Sequence, residues 1–208
     1  MSASPIRVLI ADDHPIVRSG LAQMVELTDG MEVVAQAATG IEAVQLFQQH
    51  QPDVTLMDLR MPEMNGVEAI VVILEEFSNA RIAILTTYDT DEDIFRGLKA
   101  GAKGYLLKDS RMVELIDAIR KLHAGQKYIP PAVGAKLAER MSYPQLSDRE
   151  REVMQLMCQG SLNPEISETL CISESTVKFH IGNIFSKLGV SDRTQAVLIA
   201  LKRGVPNL

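Results

Sequence analysis

Five short aliphatic runs, at 6–11, 32–36, 54–57, 81–85 and 104–107, recur along the first 123 residues, each followed by a stretch with helical spacing. Short runs rich in Val, Ile and Leu suit strands that are buried on both faces. The intervening stretches, 16–27, 41–49, 67–77, 91–100 and 112–123, carry apolar residues three and four apart, as helices with one buried face do. Repeated alternation of strand and helix makes a parallel, doubly wound α/β sheet with helices on both faces the expected fold. Local signals agree. Pro15 suits a first helical position, and Asn65 with Glu68 three residues on has the form of a capping box.

In an open five-stranded sheet of order 2-1-3-4-5, the ligand crevice opens where strands 1 and 3 diverge. Asp12 and Asp13 follow the first strand and Asp58 ends the third, so three carboxylates are expected at that rim. They repel one another and resist ionising together unless a cation balances them. An oxygen-only donor set suits Mg2+, which keeps several waters. Thr86 follows the fourth strand and Lys108 the fifth. With Asp58 as the nucleophile, their hydroxyl and ammonium are placed to hold two oxygens of a phosphoryl group, and Lys108 is expected to pair with Asp58 when that residue is bare. Tyr105 is placed to swing inward when Thr86 is drawn toward the phosphate; the plainer alternative is an ordinary half-buried strand aromatic. Asp13 also fits a helix cap ahead of Pro15. His14 has no second histidine nearby to complete a transition-metal site and is read as structural.

Charge divides the chain. Residues 1–124 hold 11 Lys+Arg against 19 Asp+Glu, and residues 125–208 hold 10 against 8, so the halves have different electrostatic tasks. The joint is placed at 124–145, where Gly125, Pro130, Pro131 and Pro144 interrupt regular structure around one short helix at 132–141. This leaves a first domain at 1–123 and a second at 146–208. No apolar run approaches the roughly 20 residues a membrane span needs, and 1–5 is too short for a signal peptide. Cys158 and Cys171 lack nearby ligand partners and read as buried structural thiols, which fits a reducing, cytoplasmic setting.

The second half reads as four helices. Ser147 and Glu150 form a capping box for the first, and Gly160 stops it. Asn163 is expected to cap the second, with Pro164 at its first position. Ser173 caps the third, at 174–188, and Ser191 the last, which ends near Arg203 and Gly204. The tight 171–173 turn makes the middle pair a candidate helix-turn-helix. On the third helix, Val177, Ile181, Ile184, Phe185 and Leu188 share one face, the core stripe, and Phe179 points almost directly away from it. An outward aromatic there suits a partner surface such as a thymine methyl in a major groove. Ser175, Thr176, Gly182, Asn183 and Ser186 surround it, with Lys178 on the flank and Lys187 farther along; all but Ser186 are taken, with Phe179, as the DNA-contact set. Residues 145–208 carry 7 Lys+Arg and 7 Asp+Glu, so an isolated domain is expected to bind DNA weakly. The last helix is apolar all round over 196–201. Val197, Leu198 and Leu201 are therefore assigned to contact with a second copy.

Several motifs in the first half resemble the receiver domain of two-component response regulators. They are Asp12, Asp13, His14 and Pro15 after strand 1, the run 57–62 around Asp58, the Asn65 and Gly66 pair, Thr86 and Thr87, and the run 104–108 ending in Lys108. Residues 147–204 resemble the LuxR-type helix-turn-helix. Together the two parts are similar to the NarL/FixJ class of transcription factors. The resemblance implies that Asp58 accepts a phosphoryl group from a sensor histidine kinase. It also implies that Asp13 and the backbone carbonyl of Arg60 join Asp58 as Mg2+ ligands, with Asp12 acting through water. The implied output is promoter DNA binding by a homodimer formed on phosphorylation, with RNA polymerase as a further partner. No catalysis is implied beyond the chain's own aspartyl phosphorylation and dephosphorylation. Two departures stand out: Asp109 follows the lysine where many receivers have a cis proline, and Pro164 stands where relatives commonly have a DNA-touching lysine. A haloacid-dehalogenase-type phosphatase is the nearest enzyme alternative, but that class wants a second Asp where this chain has Arg60. A dinucleotide-binding enzyme is disfavoured because no Gly-x-Gly-x-x-Gly follows the first strand. A regulator whose C-terminal helices bind another protein is the remaining alternative.

Overall fold

The computed structural model describes residues 4–87, 91–142 and 146–202. Its first unit alternates β1 (Ile6–Ala11), α1 (Pro15–Glu26), β2 (Met31–Ala37), α2 (Gly40–His50), β3 (Val54–Asp58), α3 (Gly66–Glu76), β4 (Ile82–Thr86), α4 (Asp91–Lys99), β5 (Gly104–Leu107) and α5 (Met112–His123). All neighbouring strands are parallel and their order is β2-β1-β3-β4-β5. This is the expected sheet, with ends shifted by a residue or two. β2 extends to Met31 and Ala37, and Thr86 is the last residue of β4 rather than the first beyond it.

Alternate positions along the strands feed two cores. Val8, Ile10, Val54, Leu56, Ala83, Leu85 and Leu106 pack with Leu21, Ala22 and Val25 of α1 and Leu115, Ile119 and Leu122 of α5. Leu9, Met57, Ile82 and Ile84 are fully buried and, by alternation, point to the opposite face. Phe47 of α2 lies 5.2 Å from Phe77 between ring centroids. Register then sets the site. Ala11 pairs with Met57, Asp58 with Leu85 and Thr86 with Leu107, so Asp12, Asp58, Thr86 and Lys108 all emerge at one edge of the sheet.

The chain divides near Lys136 and Leu137, within α6 (Pro131–Ser142). The stretch read as a joint therefore starts as part of the first unit, where Val133 is 3% exposed and Tyr128 pairs with Gly104. Tyr143 and Pro144, assigned to that joint, lie outside the described residues.

The second unit holds α7 (Asp148–Cys158), α8 (Asn163–Thr169), α9 (Glu174–Leu188) and α10 (Arg193–Lys202). Val153, Met154, Met157, Ile166, Val177, Ile181, Ile184, Ala196 and Ala200 form its core. The Ser147 box is present: its hydroxyl accepts from Glu150 N at 3.3 Å, and the Glu150 carboxylate accepts from Ser147 N at 2.7 Å. Two caps move by one residue. α8 already includes Asn163, its N-cap is Leu162, and the Leu162 amide donates to Glu165 at 2.7 Å; Asn163 Oδ1 instead accepts from Arg193 at 3.3 Å. At α10 the Asp192 carboxylate takes the Gln195 amide at 2.8 Å, so Asp192 rather than Ser191 caps it. Arg203 and Gly204, where that helix was expected to end, lie outside the described residues. No described helix is long and apolar enough to cross a membrane.

Lys187 Nζ meets the buried Glu150 carboxylate at 2.6 Å, tying the end of α9 to the start of α7. Burial raises the Glu150 pKa, but the Lys187 and Ser147 hydrogen bonds outweigh it and hold the carboxyl below its usual 4.5. The stabilisation is therefore present above about pH 4.5 and is lost as pH falls through the lower folded value. Lys187→Met should destabilise the second unit by about 1–3 kcal/mol at neutral pH in urea unfolding of the full chain. The gap between parent and variant should close at strongly acid pH.

Candidate functional site

Each acidic side chain at the sheet edge reaches it because its strand stops there. Lys108 comes from the end of β5, where its amide donates to the Thr86 carbonyl at 2.8 Å. Its ammonium lies 2.6 Å from Asp58 Oδ2 and 2.7 Å from Asp12 Oδ2, with all three side chains nearly sealed from solvent. The expected pairing with Asp58 is thus shared with Asp12. The Arg60 amide donates to Asp58 Oδ1 at 3.2 Å and the His14 amide to Asp12 Oδ1 at 2.9 Å, which fixes both carboxylates from behind. Arg18 Nη1 reaches the Asp12 carbonyl at 2.5 Å. Burial raises the Asp58 pKa above its usual value, and the Lys108 and Arg60 hydrogen bonds only partly offset it. Burial lowers that of Lys108, but its hydrogen bonds to Asp12 and Asp58 leave it raised, so the ammonium stays charged.

Ligand atoms of Asp12, Asp13, His14 and Asp58 all lie within 4.8 Å of one another. His14 Nδ1 sits 2.6 Å from Asp13 Oδ1, at a side chain two-thirds exposed. Three carboxylates with a single buried ammonium among them fit a hard divalent cation such as Mg2+. Arg60 lies in the loop beside Asp58, where the implied carbonyl ligand belongs. Thr86 is 2% exposed and ends its strand beside this cluster. Tyr105 is completely enclosed, so the inward position expected to follow a movement of Thr86 is already taken. Among the described residues no peptide bond is cis, which leaves the bond after Lys108 trans.

The second unit presents α9 as expected on its outer face. Val177, Ile181 and Ile184 are buried, while Phe179 is 64% exposed with its ring 5.7 Å from that of His180. Ser175, Lys178 and Gly182 are exposed beside it, and Thr176 and Asn183 are half-buried. Ser173 Oγ, which caps the helix, also contacts Ser175 Oγ at 2.7 Å and Thr176 Oγ1 at 2.8 Å. Lys187 does not belong with this group, because its ammonium is held by Glu150. On α10, Leu198 and Leu201 are about half exposed, but Val197 packs against the core. Only the two leucines remain as an outward apolar pair.

Known families match both units. Residues 8–120 match the response regulator receiver domain, and residues 144–200 match the bacterial regulatory proteins of the luxR family. The transcriptional regulatory protein LiaR of Bacillus subtilis is 41% identical over 97% of this chain and 100% of its own. The chain belongs to the two-component response regulators. The response regulator VraR of Staphylococcus aureus is 38% identical over 96% of this chain and 98% of its own. Among solved structures, that of the RcsB–DNA complex covers 96% of this chain and 99% of its own, with 28% identity and a TM-score of 0.72.

One residue of this response regulator, marked in the sequence only as part of the Asn65 and Gly66 pair, has a role that the geometry explains. Gly66 opens α3, and its amide donates to the Leu59 carbonyl at 2.9 Å. A Cβ there would fall 1.9 Å from the Asp58 carbonyl oxygen, so only glycine lets the helix close on the loop that carries Asp58 and Arg60. The Asn65 cap beside it was readable as a capping box, and both of its bonds are present at 3.0 Å. Gly66→Ala should cost about 1–3 kcal/mol in denaturant unfolding by forcing this loop outward. It should also loosen the backbone that carries Asp58, seen as faster hydrogen exchange over 58–61.

Proposed function

We propose that this response regulator takes a phosphoryl group on Asp58 from a sensor histidine kinase and thereby changes how its C-terminal unit binds promoter DNA. The observation that carries the reading is the single ammonium of Lys108 shared by Asp12 and Asp58 at the rim of the sheet. In the reaction, an Asp58 oxygen attacks the phosphorus of a kinase phosphohistidine in line with the leaving nitrogen. The O–P bond forms as the P–N bond breaks, and the departing imidazole keeps the electron pair and takes a proton. Lys108 then has a phosphoryl oxygen to hold in place of one carboxylate, and the Thr86 hydroxyl can hold another. Asp13, Asp58 and the Arg60 carbonyl, with Asp12 through water, would hold Mg2+, which neutralises charge on the phosphoryl oxygens. Beyond its own aspartyl phosphorylation and dephosphorylation the chain acts as a regulator, working in the cytoplasm with RNA polymerase as a downstream partner.

On the output side, α9 enters the major groove with Phe179 toward the bases. Ser175, Thr176, Lys178, Gly182 and Asn183 lie around it. The DNA complex of RcsB supports this use of the unit. A second copy joined through Leu198 and Leu201 adds avidity on adjacent half-sites, which offsets the lack of net positive charge in residues 145–208.

Acetyl phosphate with Mg2+ should add one phosphoryl group to the parent by intact mass, and none to Asp58→Asn. Equal labelling of that variant would rule Asp58 out as the acceptor. Lys108→Ala should still bind Mg2+ but lose the response of DNA binding to phosphorylation.

On fragments recovered by genomic immunoprecipitation, Lys178→Ala should weaken binding to all sequences alike and flatten the salt dependence by about one unit. Phe179→Ala should cost about 1–3 kcal/mol at particular base pairs only, and replacing thymine with uracil there should produce the same loss in the parent. Variants that lose stability alone would show that α9 does not face DNA.

A further inference from the structure

β5 is one of the two outer strands of the sheet, and its outward N–H and C=O groups need partners of some kind. At the start of the strand the chain supplies them itself. After α5, Gly125 turns the backbone at φ +79°, a conformation that favours glycine, and the segment that follows brings Tyr128 beside Gly104 at the start of β5. The Tyr128 amide donates to the Lys103 carbonyl at 3.0 Å, and the Tyr105 amide donates to the Tyr128 carbonyl at 2.8 Å. These two bonds make Tyr128 a parallel partner of Gly104. The Tyr128 ring is held from the side by Lys121, whose ammonium lies 5.3 Å from the ring centre and 2.7 Å from Asp117. At the far end, Pro131 is the first residue of α6 and Val133 is buried.

We propose that residues 126–131 are a strap that carries the state of β5 to α6. The two clasping bonds straddle Gly104 and end on Tyr105, which is enclosed within the same four-residue strand that delivers Lys108 to Asp58. Because the strand is only four residues long, a shift begun at Lys108 and carried back to Gly104 moves Tyr128 with it or breaks its hydrogen bonds. Pro130 and Pro131 have fixed φ angles, so such a movement is passed on rather than absorbed before α6 begins. Beneath the strap lies a crevice of about 520 Å³ bordered by Leu107, Ser110, Glu114 and Ile129, which gives it room to move without displacing core. Along the chain, α6 is also where the first unit gives way to the second. This inference rests on the phosphoryl-acceptor reading, since Asp58 supplies the input.

Hydrogen–deuterium exchange of the full chain, with and without beryllofluoride and Mg2+ as a phosphoryl mimic, tests it. In the parent, peptides over 103–107, 126–131 and 132–142 should change together, with about a tenfold change in exchange at the Tyr128 amide. In the Pro130→Gly, Pro131→Gly double variant, and separately in Tyr128→Pro, which deletes the amide bonded to Lys103, 103–107 should still respond while 132–142 does not. A response over 132–142 as large as the parent's in both variants would overturn the strap, as would a parent whose β5 responds while 126–131 stays unchanged. A parent unchanged even over 57–61 would instead overturn the phosphoryl-acceptor reading, and the strap's input with it.

Discussion

One ammonium held between two buried carboxylates is the interaction on which the first unit depends. Lys108 sits 2.6 Å from Asp58 and 2.7 Å from Asp12, at the ends of three parallel strands. In a nearly dry site its charge partly offsets the burial, and the smaller repulsion from Asp12, that raise the Asp58 carboxyl. Everything else at the rim serves that arrangement. The register of the sheet brings the three residues together, the Thr86 carbonyl holds the Lys108 backbone, and Gly66 admits α3 against the Asp58 carbonyl. The cluster thus carries its own counterion.

The second unit solves a different problem with a similar device. Its residues carry no net charge, so it gains no general attraction to a polyanion. What it offers is shape: α9 held by the Ser173 cap, a buried stripe at Val177, Ile181 and Ile184, and Phe179 left outward. Lys187, which composition alone would count toward a basic surface, is used to fix α9 to α7 through Glu150.

Most of this was legible in the sequence because period and register are local or additive signals. Alternating strand and helix runs pointed to a parallel, doubly wound sheet, and the order 2-1-3-4-5 taken for it, which the structure has, places Asp12, Asp58, Thr86 and Lys108 together. The stripe on α9 separated Phe179 from the core by angle alone. What stayed hidden depends on contacts distant in the chain. Nothing near Lys187 announces Glu150, which lies 37 residues away. Val197 belongs to a run that is apolar all round, so the spacing could not say which side met the core. The caps at Leu162 and Asp192 were missed by one residue each, because Asn163 and Ser191 are themselves good capping residues and adjacent candidates compete closely. The strap was read as linker because Gly125, Pro130 and Pro131 mark irregular backbone in either case; only the pairing of Tyr128 with Gly104 shows that this backbone is bonded to the sheet.

If Lys108 is the resident counterion of the acidic cluster, its charge competes with any cation that binds there. Calorimetric titration of Mg2+ into the parent and into Lys108→Met measures that competition directly. The variant should bind Mg2+ about tenfold more tightly, because the three carboxylates then have no ammonium among them. Equal or weaker binding by a variant that remains folded would contradict the claim that Lys108 neutralises this site.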